Sequence, residues 1–251
     1  MSGHLNPGGQ QFRGDRGAAD PRVAAALAAY QAGQGSEQAA LAALAAARLL
    51  VPVIAVLGSG PATPGHGDKD SEMVLPTLIG RDGRPAVLAF TGLDALARWR
   101  PDARPVPAEA DRVWRAAVAD GCAVVIDVAG PVPLAVEGAR LAALAAGQPV
   151  PPPHEDPDVR ADVQAAIAAE PAIAKFTLAP GTTNRPGATS RLGTTSRPGT
   201  TSRPDPDLAV TLHLSRPVSA DWGAAVNRVA AGIAARLGAQ LRRGIEVVIA
   251  E

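Results

Sequence analysis

The chain has 251 residues, enough for one domain of ordinary size and a smaller one. Its 24 basic residues balance its 24 acidic residues, which argues against the broad positive surface by which proteins bind nucleic acids or anionic membranes. Aromatic residues make up only 3% of the chain, so its core must consist of alanine, valine, leucine and isoleucine. Arg48 and Pro52 interrupt the nearest approach to a membrane span, and the sequence therefore predicts a cytoplasmic protein.

The first secondary-structure signals follow a polar, glycine-containing segment. Residues 1–19 are predicted to form a flexible leader. Asp20 and Pro21 are typical of a helix start, and a short helix is expected through Tyr30. Ser36 is expected to cap a second helix, and residues 49–57 form an apolar run that predicts a buried strand.

A hairpin is predicted next. Side chains alternate along residues 73–79 as in one strand, but Pro76 has no N–H for a ladder, which places this strand at an edge or a bulge. Asp82 and Gly83 form a favoured turn pair and lead into an apolar strand at residues 86–90.

Residues 91–107 predict a capped helix followed by an extended segment. Thr91 stands three residues before Asp94, the spacing of a helix N-cap. Arg98, Trp99 and Arg100 close this helix, and Pro101 ends it. The prolines of residues 102–107 are expected to hold Arg104 on a semi-rigid extended segment, which offers a docking surface for a partner.

The first domain is completed by alternating helices and strands. The predicted elements are a helix at 108–120, a strand at 123–128, a short strand near Leu134 and a helix at 137–146. Cys122 begins the apolar strand and is expected to be a buried thiol.

A second, smaller α+β module is predicted after a proline-rich linker at residues 148–156. The module spans residues 157–251. Its predicted elements are a helix from Pro157 toward Glu170, strands at 172–178, 208–214 and 244–250, and a helix at 219–241. Four Gly-Thr-Thr-Ser-Arg-Pro-like hexads occupy most of residues 181–206 and are expected to form a disordered insertion, because they offer almost no apolar surface.

Seven segments of the chain resemble one known family. They are ARLLVPV at 47–53, DSEM at 70–73, DGR at 82–84, FTGLDALARW at 90–99, DARPVP at 102–107, DVAGPVP at 127–133 and PPHED at 152–156. Their content and order resemble the SseB family, enhanced serine sensitivity protein B, in its actinobacterial form. The resemblance implies an SseB N-terminal domain at residues 20–147, of mixed α/β structure, with no established catalytic mechanism. The fold class expected for the whole chain is α+β: a mixed sheet with flanking helices, plus the C-terminal module.

Two candidate sites emerge from the first domain. Arg98, Trp99, Arg100 and Arg104 form the predicted binding surface, because tryptophan and arginine contribute much of the energy of protein interfaces. The alternative is that Trp99 covers the core among solvated arginines. Asp127 closes a buried strand, a position at which α/β sheets often bind ligands, although it could instead cap the following turn.

No group of residues matches a known catalytic, cofactor or metal motif. The four histidines are scattered along the chain. These observations favour a non-enzymatic interaction or regulatory protein that binds a protein or a small anionic ligand. The alternative is an enzyme that uses Asp127, His154 or Glu155 on a small anionic substrate. Self-association through the C-terminal module, giving a homo-oligomer, is a further hypothesis.

Overall fold

The protein is an α+β protein that divides into two compact units. A computed structural model describes residues 12, 14–57, 71–74, 76–80, 83–182, 188–192, 205–215, 222–238, 240–241 and 243–250. Unit 1 consists of Met1–Ala25 and Ala43–Pro149, and unit 2 of Ala26–Ala42 and Val150–Glu251. Residues 26–42, which were predicted to belong to the first domain, thus pack within unit 2.

Helices and strands alternate along most of the described chain. The helices are α1 (Pro21–Gln31), α2 (Glu37–Leu44), α3 (Leu93–Trp99), α4 (Ala110–Ala119), α5 (Gly138–Ala145), α6 (Pro157–Ile167) and α7 (Trp222–Leu237). The strands are β1 (Arg48–Leu57), β2 (Ser71–Val74), β3 (Thr77–Ile79), β4 (Pro85–Ala89), β5 (Arg104–Glu109), β6 (Ala123–Ile126), β7 (Leu134–Val136), β8 (Ile173–Ala179), β9 (Ala188–Leu192), β10 (Leu208–Leu214) and β11 (Ile245–Ala250).

Local signals predicted several element boundaries correctly. The hydroxyl of Ser36 accepts a hydrogen bond from the N–H of Ala39 at 3.1 Å, as expected of the cap of α2. Gly83 has a φ of 80°, which the turn between β3 and β4 requires and which glycine adopts without strain.

Unit 1 contains two sheets. One has the order β2-β1-β5, and the other has the order β3-β4-β6-β7, in which β4 and β6 are parallel neighbours. Leu50 of β1 and Phe90, the residue after β4, exchange two backbone hydrogen bonds of 2.7 and 2.8 Å and so connect the sheets. Both side chains are buried in a core cluster with Leu88, Ala95, Leu96 and Ala103.

One prediction about the strands of unit 1 was wrong, and one strand of this unit was not predicted. The single strand expected at 73–79 is two strands in different sheets, β2 and β3, and Pro76 lies between them because it cannot donate to either ladder. Residues 104–107 are extended as predicted, but they belong to strand β5, which was not predicted and which pairs with β1 so that Arg104 lies opposite Val53. Its prolines are tolerated because β5 is an edge strand.

The N-terminal segment differs from the predicted flexible leader in its last residues. The carbonyl oxygen of Gly17 accepts a hydrogen bond of 2.8 Å from the N–H of Leu93, and Asp15 forms an ion pair of 2.7 Å with Arg48. Residues 15–18 are therefore fixed against the beginning of α3, through contacts that lie far apart in the sequence.

Unit 2 places α6 and α7 against one face of a four-stranded sheet of order β8-β10-β11-β9. Its core cluster contains Val163 of α6, Ile233 of α7, and Val210 and Val247 of the central strands, all fully buried. Where the parallel strands β10 and β11 begin, Asp207 accepts hydrogen bonds from the N–H and the guanidinium of Arg243 at 2.8 and 2.7 Å.

Part of the repeat segment forms a strand, where a disordered insertion was predicted. Residues 188–192, inside the predicted insertion, form strand β9 and pair with β11. The apolar content of the hexads could not indicate this strand, because a backbone ladder at the edge of an existing sheet does not require apolar side chains. Residues 183–187 and 193–204, like the loop predicted at 58–67, lie outside the described residues.

Among the described residues, no helix is long and apolar enough to cross a membrane.

Candidate functional site

Asp127 lies at the carboxyl end of β6, beside the carboxyl end of the parallel strand β4. Its backbone N–H donates to the carbonyl of Ala89, the last residue of β4, at 3.0 Å. Its φ is 48°, a left-handed conformation that aspartate tolerates better than most residues. Only 5% of Asp127 is exposed to solvent, so its carboxylate needs partners within the protein.

Thr91 supplies those partners. One carboxylate oxygen of Asp127 accepts the backbone N–H of Thr91 at 2.8 Å, and the other accepts the Thr91 hydroxyl at 2.7 Å. The predicted role of Thr91 as a helix cap was therefore wrong: Gly92 is the N-cap residue of α3, and no side chain caps that helix. The hydroxyl binds Asp127 instead, because a buried carboxylate is a stronger acceptor than a neutral group.

Arg48 fixes the other side of Thr91. Its guanidinium donates to the Thr91 carbonyl at 3.0 Å and to the carbonyl of Ala18, and it also forms the ion pair with Asp15. Sequence reasoning did not single out Arg48 or Thr91 as site residues. The available signal was an arginine at the start of a strand that is otherwise almost entirely apolar.

Burial raises the pKa of Asp127 above its ordinary value of 3.8, while the hydrogen bonds from Thr91 and the positive charge of Arg98 act in the opposite direction. Arg98 of α3 is thus the cation that interacts electrostatically with this carboxylate. The group is a weaker acid than an exposed aspartate, and it combines a carboxylate, a hydroxyl and a neighbouring guanidinium.

This raised pKa predicts a pH-dependent stability difference between the native chain and Asp127→Asn. The native state retains the proton of Asp127 to a higher pH than the unfolded state does. The contribution of Asp127 is therefore fully present below the unfolded pKa and decreases as pH rises through the folded pKa. Urea denaturation of both proteins from about pH 3 to about pH 8 measures the difference, which should move in favour of Asp127→Asn as pH rises. A difference that is constant, or that moves the other way, would contradict the prediction.

One residue of the predicted binding surface packs against the protein core, and the others are exposed to solvent. Trp99 is half-buried and packs against the core cluster of unit 1, with its ring 5.5 Å from that of Phe90. The Arg100 guanidinium lies 5.6 Å from the Trp99 ring centre and covers its outer side. These contacts support the alternative in which Trp99 covers the core.

The three arginines are exposed. Arg98 and Arg100 lie at the end of α3, and Arg104 begins β5 after a short turn. Among the residues that the structure describes, Arg98 and Arg104 form no ion pair, and Arg100 lies 3.8 Å from the exposed carboxylate of Asp102. We call Arg98, Arg100 and Arg104 the α3–β5 surface. Arg98 also interacts with Asp127, whereas no contact joins Arg104 to Asp127.

The remaining chemically reactive residues make local contacts. His154 lies 3.4 Å from the carboxylate of Glu155, and Asp156 caps α6 by accepting the N–H of Asp158. Cys122 was expected to be buried but is partly exposed, because it lies in the turn before β6. Desolvation and the nearby charge of Asp120 raise the pKa of its thiol. The described part of the chain contains no cluster of three or more metal-ligating side chains.

One comparison with known proteins gives a match, and the match lies in the N-terminal part of the chain. The model of the SseB protein N-terminal domain matches residues 23–143. No curated protein and no solved structure matches the chain. The matched segment contains Arg48, Thr91, Asp127 and the α3–β5 surface, and it confirms the resemblance found in the sequence motifs. The chain therefore carries an SseB protein N-terminal domain over residues 23–143.

Proposed function

We propose that this chain is a non-enzymatic cytoplasmic interaction or regulatory protein, whose SseB N-terminal domain binds a protein partner or a small anionic ligand through the α3–β5 surface. The observation that carries the proposal is the exposure of three arginines along one short connection, two of them without an ion pair among the described residues.

The chemistry of arginine supports an anionic group on the partner. A guanidinium presents several N–H donors in a planar fork that fits a carboxylate or a phosphate. Because neither Arg98 nor Arg104 forms an ion pair in the described part of the chain, neither has to break one on binding, although the charge of Arg98 also acts on Asp127. The overall charge of the chain is balanced, so this local group, rather than a general positive field, would select the ligand.

The backbone beneath the arginines supports a preformed surface. Arg98 belongs to α3, whose Ala95 and Leu96 are buried in the core, and Arg104 belongs to the β1–β5 ladder. Side chains on paired or packed backbone lose less conformational freedom on binding than side chains on a free loop. The segment that carries Arg104 is therefore made rigid by the pairing of β5 with β1, and not by its prolines alone.

The double variant Arg98→Ala, Arg104→Ala is expected to lose the ligand. Removing two guanidinium contacts to an anion should weaken binding about tenfold or more, which corresponds to about 1.4 kcal/mol. The tagged chain is used for affinity capture from native cytosol, and proteins and small anions that elute with it are identified by mass spectrometry.

A matched control carries the same change in charge. Arg112 and Arg115 lie on α4 in the same unit and pair with Glu109 and Asp111. Arg112→Ala, Arg115→Ala should capture the same molecules as the native chain. Equal capture by native chain and both variants would contradict the assignment of the α3–β5 surface.

Asp127 favours a second candidate function, an enzyme acting on a small anionic substrate. The Asp127 carboxylate is buried, has a raised pKa and interacts electrostatically with Arg98. These are the properties of a general acid or base beside an anion site. In that case an anionic metabolite raises the melting temperature of the native chain, and Asp127→Asn retains ligand binding but abolishes turnover. Turnover unchanged in Asp127→Asn would exclude this role for Asp127.

A further inference from the structure

A groove in unit 2 lies between α6 and the edge strand β8. It forms an open, solvent-accessible cavity of about 500 Å³, lined on the helix side by Pro157, Arg160 and Gln164 and on the strand side by Lys175 and Phe176. This volume is within the range of ligand pockets in proteins. We call it the α6–β8 groove.

One side of the groove is the open edge of a sheet. β8 is the outermost strand in the order β8-β10-β11-β9 and pairs with β10 along one edge. Its other edge pairs with no strand in the described part of the chain. An unpaired strand edge presents N–H and C=O groups at the spacing of a β-ladder, so an extended peptide can add to it as a further strand.

The charged side chains of the groove are cationic. Arg160 and Lys175 line the cavity, and no acidic residue does. Neither cation forms an ion pair with any described residue, and both are exposed. The Arg160 guanidinium lies 5.8 Å from the Phe176 ring centre, a cation–π contact that holds it over the groove.

The two cations would meet different side chains of an added strand. Successive side chains of β8 point to opposite faces of the sheet, so Lys175 and Phe176 face opposite sides, with Phe176 packed toward the helices. The side chains of an added peptide alternate in the same way. Acidic residues on one face of the peptide would reach Arg160, and those on the other face would reach Lys175.

We propose that the α6–β8 groove binds an extended acidic peptide segment of a partner protein, which adds as a strand to the open edge of β8 and places its carboxylates against Arg160 and Lys175. Main-chain hydrogen bonds would supply much of the affinity, and the two cations would supply the preference for acidic sequences.

The test is fluorescence anisotropy of the full chain with a labelled peptide of sequence VEEVEEV, which carries glutamates on both faces of an extended strand. The native chain should bind it, and the lysine peptide VKKVKKV should bind at least about tenfold more weakly. Arg160→Ala and Lys175→Ala should each weaken binding about threefold, and together about tenfold. The control Arg236→Ala removes an exposed arginine of α7 that donates a hydrogen bond to the Gly232 carbonyl. This variant should bind the peptide like the native chain.

A second comparison tests strand addition without altering the protein. Two forms of the peptide carry N-methyl groups on alternate residues, one form on odd and the other on even positions. Strand addition requires the N–H groups along one side of the peptide, so one form should bind much more weakly than the other. Equal binding of both forms and the unmodified peptide, or equal loss in Arg236→Ala, would overturn the proposal. Absence of binding by the native chain, or a concentration-dependent dimer that the double variant abolishes, would also overturn it.

Discussion

Asp127→Ala is expected to lower the free energy of unfolding by about 3 kcal/mol, through the loss of two buried hydrogen bonds and the strain of alanine at a left-handed position. The carboxylate of Asp127 accepts both the N–H and the hydroxyl of Thr91. Without it, both donors are left in a region from which water is largely excluded, since Thr91 is 6% exposed. Urea denaturation followed by circular dichroism measures the loss.

Two milder variants separate these effects. Asp127→Asn keeps an acceptor oxygen and tolerates the φ of 48°, so it should cost only about 1 kcal/mol near neutral pH. Thr91→Val removes the hydroxyl but keeps the backbone N–H, and should cost about 1 to 2 kcal/mol. If Asp127→Ala is as stable as the native chain, the two hydrogen bonds between Thr91 and Asp127 do not stabilise the fold.

Trp99→Ala is expected to cost about 2 to 3 kcal/mol of stability, less than a fully buried tryptophan would because the ring is only half-buried. The variant removes the packing of the ring against Phe90 and leaves a gap beside the core of unit 1. The same denaturation measurement applies.

Arg100→Ala is the control for Trp99. It removes the guanidinium above the ring but leaves the core filled, and should cost less than about 1 kcal/mol. Equal stability of Trp99→Ala and the native chain would show that the ring serves only as a surface contact. This expected structural effect is why arginine variants, rather than Trp99→Ala, are the suitable probes of binding.

Local signals in the sequence predicted much of the fold. Proline positions and hydrophobic periodicity indicated α1, β1, α4, α6 and the three strands β8, β10 and β11 within a few residues. The α+β class was also predicted correctly. These features depend on neighbours in the sequence, which is why a single chain reveals them.

Contacts between distant residues could not be predicted in the same way. Thr91 matched a helix cap, but Asp127, 36 residues later, takes its hydroxyl. The prolines around Arg104 predicted a semi-rigid extended segment, but its pairing with β1 at the edge of a sheet was not foreseen. In both cases a contact with a residue far away in the sequence determined the local structure. The spacing of residues in the sequence does not indicate such a contact.

For the candidate site residues, the sequence indicated exposure and burial better than contacts. Arg98, Arg100 and Arg104 are exposed as the interpretation required, and Asp127 is a buried group at a strand end. Arg48 was missed, because its role depends on its contacts with Thr91 and Asp15. Trp99 was assigned to the surface because its ring contact with Phe90 depends on how α3 packs.

The most direct test of the proposed binding function is native mass spectrometry of the chain purified from its native cells under non-denaturing conditions. We expect an added mass, of a protein or a small anion, on the native chain and on Arg112→Ala, Arg115→Ala, and no added mass on Arg98→Ala, Arg104→Ala. The same bound species on all three proteins, or none on any of them, would contradict it.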